Sequence, residues 1–148
     1  MSAPHVLAVN AGSSSLKLAM FTLASAEPQA LLRITLDRRD NHAAPRISGD
    51  AALAAALSLP ATRDYAAFTT GVLASLAART PPAAVVHRVV HGGDEARECI
   101  ALDSASRARL HALAPLAPLH QPPALAIIDA IAAAHPALAQ YAALDTAF

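Results

Sequence analysis

Two apolar runs near the start of the chain, HVLAV at residues 5–9 and LKLAMFTL at 16–23, are separated by only six residues, NAGSSS. Each run is short and apolar, the pattern of a buried strand. Six residues cannot hold the helix that a parallel crossover needs. The two strands must therefore turn back on each other as a hairpin, with Asn10–Ser15 as the turn. That constraint fixes an antiparallel start for whatever sheet follows. Ala30–Leu36 reads as a third strand, and residues 37–50 (DRRDNHAAPRISGD) read as loop.

Beyond residue 50 the period changes. Asp50 is placed to cap an alanine-rich helix that Pro60 would stop. Thr62 is placed to cap a second helix, with Tyr65, Phe68, Val72, Leu73 and Leu76 on one face, ended by Pro81 and Pro82. The β-branched run AAVVHRVV, 83–90, is a further strand. Asp103 or Ser104 can cap a helix through Leu113. Pro122 suits the start of another, with Leu125, Ile128 and Ile131 on its apolar face up to Pro136. Tyr141–Leu144 is a last strand. Three strands, helices, a strand, helices and a strand make an α/β domain with no internal repeat. No polar tail follows the last strand, so the chain is expected to be cut there.

At 148 residues the chain can bury one core, and with 55% hydrophobic residues but few aromatics that core must be built from Ala, Leu, Val and Ile. Eleven basic residues balance eleven acidic ones, which argues against binding driven by charge to nucleic acid or to a membrane surface. A single cysteine, Cys99, cannot close an internal disulfide. No positively charged leader or apolar span is present, and a cytoplasmic location is expected.

Four places can carry chemistry. The first is the opening turn. Gly12 permits a close backbone approach, Ser13, Ser14 and Ser15 offer hydroxyls, and Lys17 is the only lysine in the chain. Backbone N–H groups in a tight turn can cradle an anion. A plain hydrophilic hairpin with a solvated lysine fits the same residue types, and the Walker pattern is absent. The second is VVHRVVHGGD, 85–94, where Arg88 lies inside an apolar run. It would bind an anion there, or pair with an acid of the protein, or sit on an edge strand with one wet face. The third is His120, between prolines in PLAPLHQPP. The fourth is Asp145, after the last strand. Ligands of open α/β sheets gather at the carboxyl ends of strands, so Asn10, His91 and Asp145 are expected to converge on one cleft. No H-E-x-x-H metal motif and no G-x-S-x-G elbow occur.

The segments VNAGSSSLKLAMF, HRVVHGGD, LAPLHQPP and LDTAF resemble, in this order and spacing, the N-terminal half of the acetate kinases. That resemblance implies a ribonuclease H-like domain of the actin/Hsp70 type, a mixed sheet flanked by helices. It implies that residues 1–148 are one of two domains, the second being absent and carrying the adenosine pocket. The activity implied is reversible phosphoryl transfer from ATP to acetate, giving acetyl phosphate and ADP, with Mg²⁺ or Mn²⁺ as the metal. Residue by residue, Asn10 resembles the family's metal- and phosphate-placing residue. Ser13, Ser15 and Lys17 resemble its ATP- and phosphate-binding groups, and Arg88 the carboxylate-binding arginine. Val90 and Leu119 resemble the wall around the methyl group. His120 and Asp145 resemble the catalytic histidine and acid. Asp94 and Gln121 stand where many relatives have Glu and Asn. The partners implied are acetate or another short carboxylate and ATP/ADP, with a homodimeric full-length parent and no nucleic acid or membrane. A propionate or butyrate kinase relative, or a truncated non-catalytic binding domain, are the alternatives.

Overall fold

A computed structural model describes residues 2–39, 44–94 and 97–145. The opening constraint holds: β1 (His5–Ala11) and β2 (Ser15–Thr22) form an antiparallel hairpin, with Val9 opposite Leu18 and Asn10 opposite Lys17. β3 (Gln29–Asp37) continues the meander, and β4 (Arg46–Gly49) adds an antiparallel edge. The segment expected to be loop therefore contains a short strand; residues 40–43 within it lie outside the described residues. β5 (Ala84–Val89) and β7 (Ala139–Leu144) extend the sheet in parallel from β1, and β6 (Cys99–Ala101) closes the other edge antiparallel to β7. The order is β4-β3-β2-β1-β5-β7-β6, a mixed sheet as expected.

Alternation along the strands places the core. Leu7 and Val9, then Leu16, Leu18 and Met20, then Leu32, Ile34 and Leu36 are buried, while the residues between them are not. This face packs on α2 (Tyr65–Ala77) through Phe68, Val72, Leu73 and Leu76, and on α4 (Gln121–Ala134) through Ile127 and Ile131. α3 (Ser104–Ala112) joins a second cluster around Val89, Ile100, Leu110, Leu125 and Leu144. Among the described residues, the helices that contribute to these clusters lie on one face of the sheet. The alternate residues, among them Ala8, Lys17, Ala19, Val86, Arg88 and Ala143, line the other face.

The helix starts differ from expectation in one place. Asp50 caps α1 (Ala51–Ala56) and Asp103 caps α3 in a capping box with Ser106. α2 is capped by Asp64, whose carboxylate accepts the Ala67 N–H at 2.7 Å. The Thr62 hydroxyl instead accepts the Asp64 N–H, one step too early to reach the first turn. α1 also ends before Pro60, because Leu57 turns extended and Leu57 and Leu59 pack on the core. No described helix is long and apolar enough to cross a membrane.

Candidate active site

β1, β5 and β7 run parallel, so their carboxyl ends lie along one edge of the sheet. Asn10 and Arg88 are each one residue out of step with the buried set on their strands, and Asp145 is one step past the buried Leu144. All three thus emerge on the face opposite the one that packs on α2 and α4. Lys17, paired opposite Asn10, joins them. With the Ala11–Ser15 loop, Val90 and His120 they line one cavity of about 370 Å³. Residues separated by up to 135 positions meet there because the register leaves them no other direction to point.

The loop is tight. The Gly12 N–H donates to the Ser15 carbonyl at 2.8 Å, and a Cβ at Gly12 would stand only 3.1 Å from that oxygen. Glycine is thus suited to the closing turn by space rather than by a left-handed backbone. No hydrogen bond or ion pair from a described residue reaches the side chains of Asn10, Ser13, Ser15, Lys17 or His120. An amide, hydroxyls, an ammonium and an imidazole therefore face the cavity with their bonding capacity open to a solute.

Arg88 and Asp145 are paired across it. The Arg88 Nε donates to both carboxylate oxygens at 3.1 Å and Nη2 donates to Oδ2 at 2.8 Å. Hydrogen bonding and charge from Asp145 raise the Arg88 pKa, so the guanidinium stays charged. Its side chain is 54% exposed, on a central strand rather than an edge. Of the three readings of Arg88, the pairing with an acid of the protein is the one observed, and that pair lies inside the cleft. Asp145 occupies the Nε–Nη2 side of the fork, which leaves the Nη1 protons for a second anion.

Two expectations are not met. His91 does not join the cleft. It lines a separate groove with Gly92, Gly93 and α3, and its Nδ1 accepts the Gly93 N–H at 3.0 Å. The turn is responsible. Gly93 has φ +64°, and a Cβ at Gly92 would lie 2.6 Å from Leu144 Cδ1, so the loop packs on β7 and carries His91 away. Leu119 is 74% exposed and outside the cavity, whereas Val90 lines it. His87 and His91 are four residues apart, but the His87 ring is buried against Gln140 while His91 lines the groove by α3, and among the described residues no group of three metal ligands forms.

Three polar residues went unassigned in the sequence: His87, Gln121 and Gln140 are all buried. The His87 Nε2 and the Gln140 Oε1 are 2.7 Å apart, with the ring nitrogen as donor, and the Gln140 amide donates to the Ile128 carbonyl of α4. Burial lowers the His87 pKa to about 4, partly offset by that hydrogen bond, so the ring is neutral at pH 7. A histidine inside a β-branched run was the available signal.

The fold and the cleft together define an α/β domain that gathers an open polar loop, a cation and a carboxylate–guanidinium pair at its strand ends. The chain belongs to the acetokinase family, whose model matches residues 5–148. It is 33% identical to acetate kinase 2 of Vibrio cholerae over 100% of this chain and 38% of that protein. It is 38% identical to acetate kinase of Nitrobacter hamburgensis, over 97% of this chain and 37% of that one. Among solved structures it matches acetate kinase from Entamoeba histolytica at TM-score 0.70 and 22% identity, covering 97% of this chain and 35% of that. It matches a propionate kinase from Francisella tularensis at TM-score 0.70 and 25% identity, covering 99% and 38%. The expected actin/Hsp70-type fold is thus the observed one. The chain spans less than two-fifths of the length of the curated relatives it matches across its whole length.

Proposed function

We propose that this chain supplies the acid-binding half of an acetate kinase active site, as the N-terminal part of a larger phosphotransferase. The observation that carries the reading is the meeting of Asn10, the serine loop, Lys17, Arg88 and Asp145 in one cavity at the sheet edge. Phosphoryl transfer is mostly positioning and charge neutralisation, and these groups are suited to both. Arg88 would hold the acetate carboxylate through its Nη1 side, with Asp145 fixing the guanidinium plane. Ser13, Ser15 and Lys17 would meet phosphate oxygens of ATP. His120, at the cavity rim, would donate a hydrogen bond to the phosphoryl oxygens. Leu119 would have to move inward to complete a methyl wall with Val90.

The donor set fits a hard divalent ion. Among the described residues no cluster of three His, Cys, Asp or Glu exists, but Asn10 and Asp145 offer an amide oxygen and a carboxylate on one cavity. Mg²⁺ commonly keeps several waters and takes only one or two protein ligands beside phosphates. When bound there, Mg²⁺ would neutralise phosphate charge.

Acids longer than acetate are a second reading, favoured by the exposure of Leu119, which leaves Val90 as the apolar wall. One methylene is worth only about 1–3 kcal/mol of discrimination. A chimera tests both readings: this chain in place of the corresponding segment of the Nitrobacter hamburgensis enzyme. We expect acyl phosphate formation from ATP with acetate and propionate, at falling rates from C2 to C4. A folded chimera inactive on all three acids would overturn the proposal.

A further inference from the structure

His120 is carried into the cavity by a helix end, as the N-cap of α4. The apolar face of α4 holds the helix onto the sheet, but apolar contact is non-directional and fixes translation along the helix axis weakly. Two buried amides supply direction. Gln121, the first residue of α4, is fully buried. Its Oε1 accepts the His91 N–H at 3.2 Å and its Nε2 donates to the His91 carbonyl at 2.8 Å. The side chain thereby pairs with one residue of main chain as a neighbouring strand would, just beyond the end of β5. Farther along α4, the Ile128 carbonyl accepts from Gln140 of β7 at 3.1 Å, while Gln140 Oε1 faces His87 Nε2 of β5 at 2.7 Å. The helix is thus fastened at two points, to the segment just beyond β5 and to β7, next to the strands that present Arg88 and Asp145.

We propose that Gln121 and Gln140 are positioning residues that lock α4 in register with β5 and β7, so that His120 stands at a set distance from the Arg88–Asp145 pair. Each amide uses its donor and its acceptor on different groups, which an apolar residue of equal volume cannot do. A leucine would fill the space and release the register.

The ligand arm of the test rests on the proposed function; the geometric arm does not. The probe is the 148-residue chain labelled for NMR, with Gln121→Leu, Gln121→Asn and Gln140→Leu, titrated with inorganic phosphate. In Gln121→Leu we expect the His87 Nε2–H signal to persist, showing an intact sheet. Cross-relaxation from the His120 ring to the other cavity residues should fall, and the phosphate Kd should rise about threefold to tenfold, the worth of roughly one hydrogen bond. Gln121→Asn, which keeps donor and acceptor, should recover part of both. Gln140→Leu should move the His120 signals although it lies away from the cavity. Unchanged His120 signals in Gln121→Leu and Gln140→Leu would overturn the proposal. If Gln121→Leu does not fold, Gln121→Asn and Gln140→Leu decide by the same signals. A wild-type chain that ignores phosphate would count against the proposed function, and the His120 contacts would still decide the positioning role.

Discussion

Arg88 and Asp145 are 57 positions apart in the chain and bonded in the fold, because parallel register puts Arg88 beside Ala143 and Asp145 two residues further on. A bidentate fork holds a carboxylate in a way that a lysine cannot. In the chimera, Arg88→Ala should raise the acetate KM by about tenfold or more, the effect of roughly one charge-assisted contact, and leave the ATP KM nearly unchanged; initial-rate kinetics check it. His87, next in the strand, makes a different prediction. Its folded pKa of about 4 lies below the 6.5 of an unfolded histidine. Between those values the unfolded chain takes up a proton that the folded chain refuses, so stability falls as pH drops through that window. The loss amounts to about 3 kcal/mol by pH 4. Urea midpoints measured from pH 7 to 4.5 should show this for the wild type and a flatter dependence for His87→Met.

At the scale of elements, α2 shows both the reach of sequence pattern and its edge. Tyr65, Phe68, Val72, Leu73 and Leu76 are buried as their spacing requires. Its cap is Asp64, so Asp64→Ala should cost about 1 kcal/mol of unfolding free energy and Thr62→Ala much less. Gly71 sits in mid-helix, where alanine ordinarily stabilises by about 1 kcal/mol. Here a Cβ would stand 2.2 Å from Pro60 Cγ, so Gly71→Ala should instead destabilise by about 1–3 kcal/mol in denaturant titration. β4 and β6 escaped the sequence reading for a physical reason. RISG and CIA are too short to carry a hydrophobic period, and they are strands because β3 and β7 offer them open edges. Lys17, Arg88 and Asp145 were legible because a polar group inside or just after an apolar run stands out, while the role of each came from the family resemblance. The His87–Gln140 and Gln121–His91 pairs were not, since each joins residues at least 30 apart through tertiary contact alone.

At the scale of the molecule, the cavity is bounded on the sheet side by this chain, which spans 37–38% of the acetate kinases compared over its full length. Holding reactants together supplies about 7–11 kcal/mol in favourable cases, and on the proposed reading, in which this chain supplies the acid-binding half of the cleft, the chain by itself would forfeit most of that. The isolated chain should therefore turn over acetate and ATP at least about a thousandfold more slowly than the chimera. The central claim is tested most directly by titrating the isolated, isotope-labelled chain with acetate and with MgATP. We expect shifts at Arg88 Nε–H with acetate, and at Asn10, Ser13, Ser15 and Lys17 with MgATP. Shifts confined to residues outside this cavity, or none at saturating ligand, would contradict it.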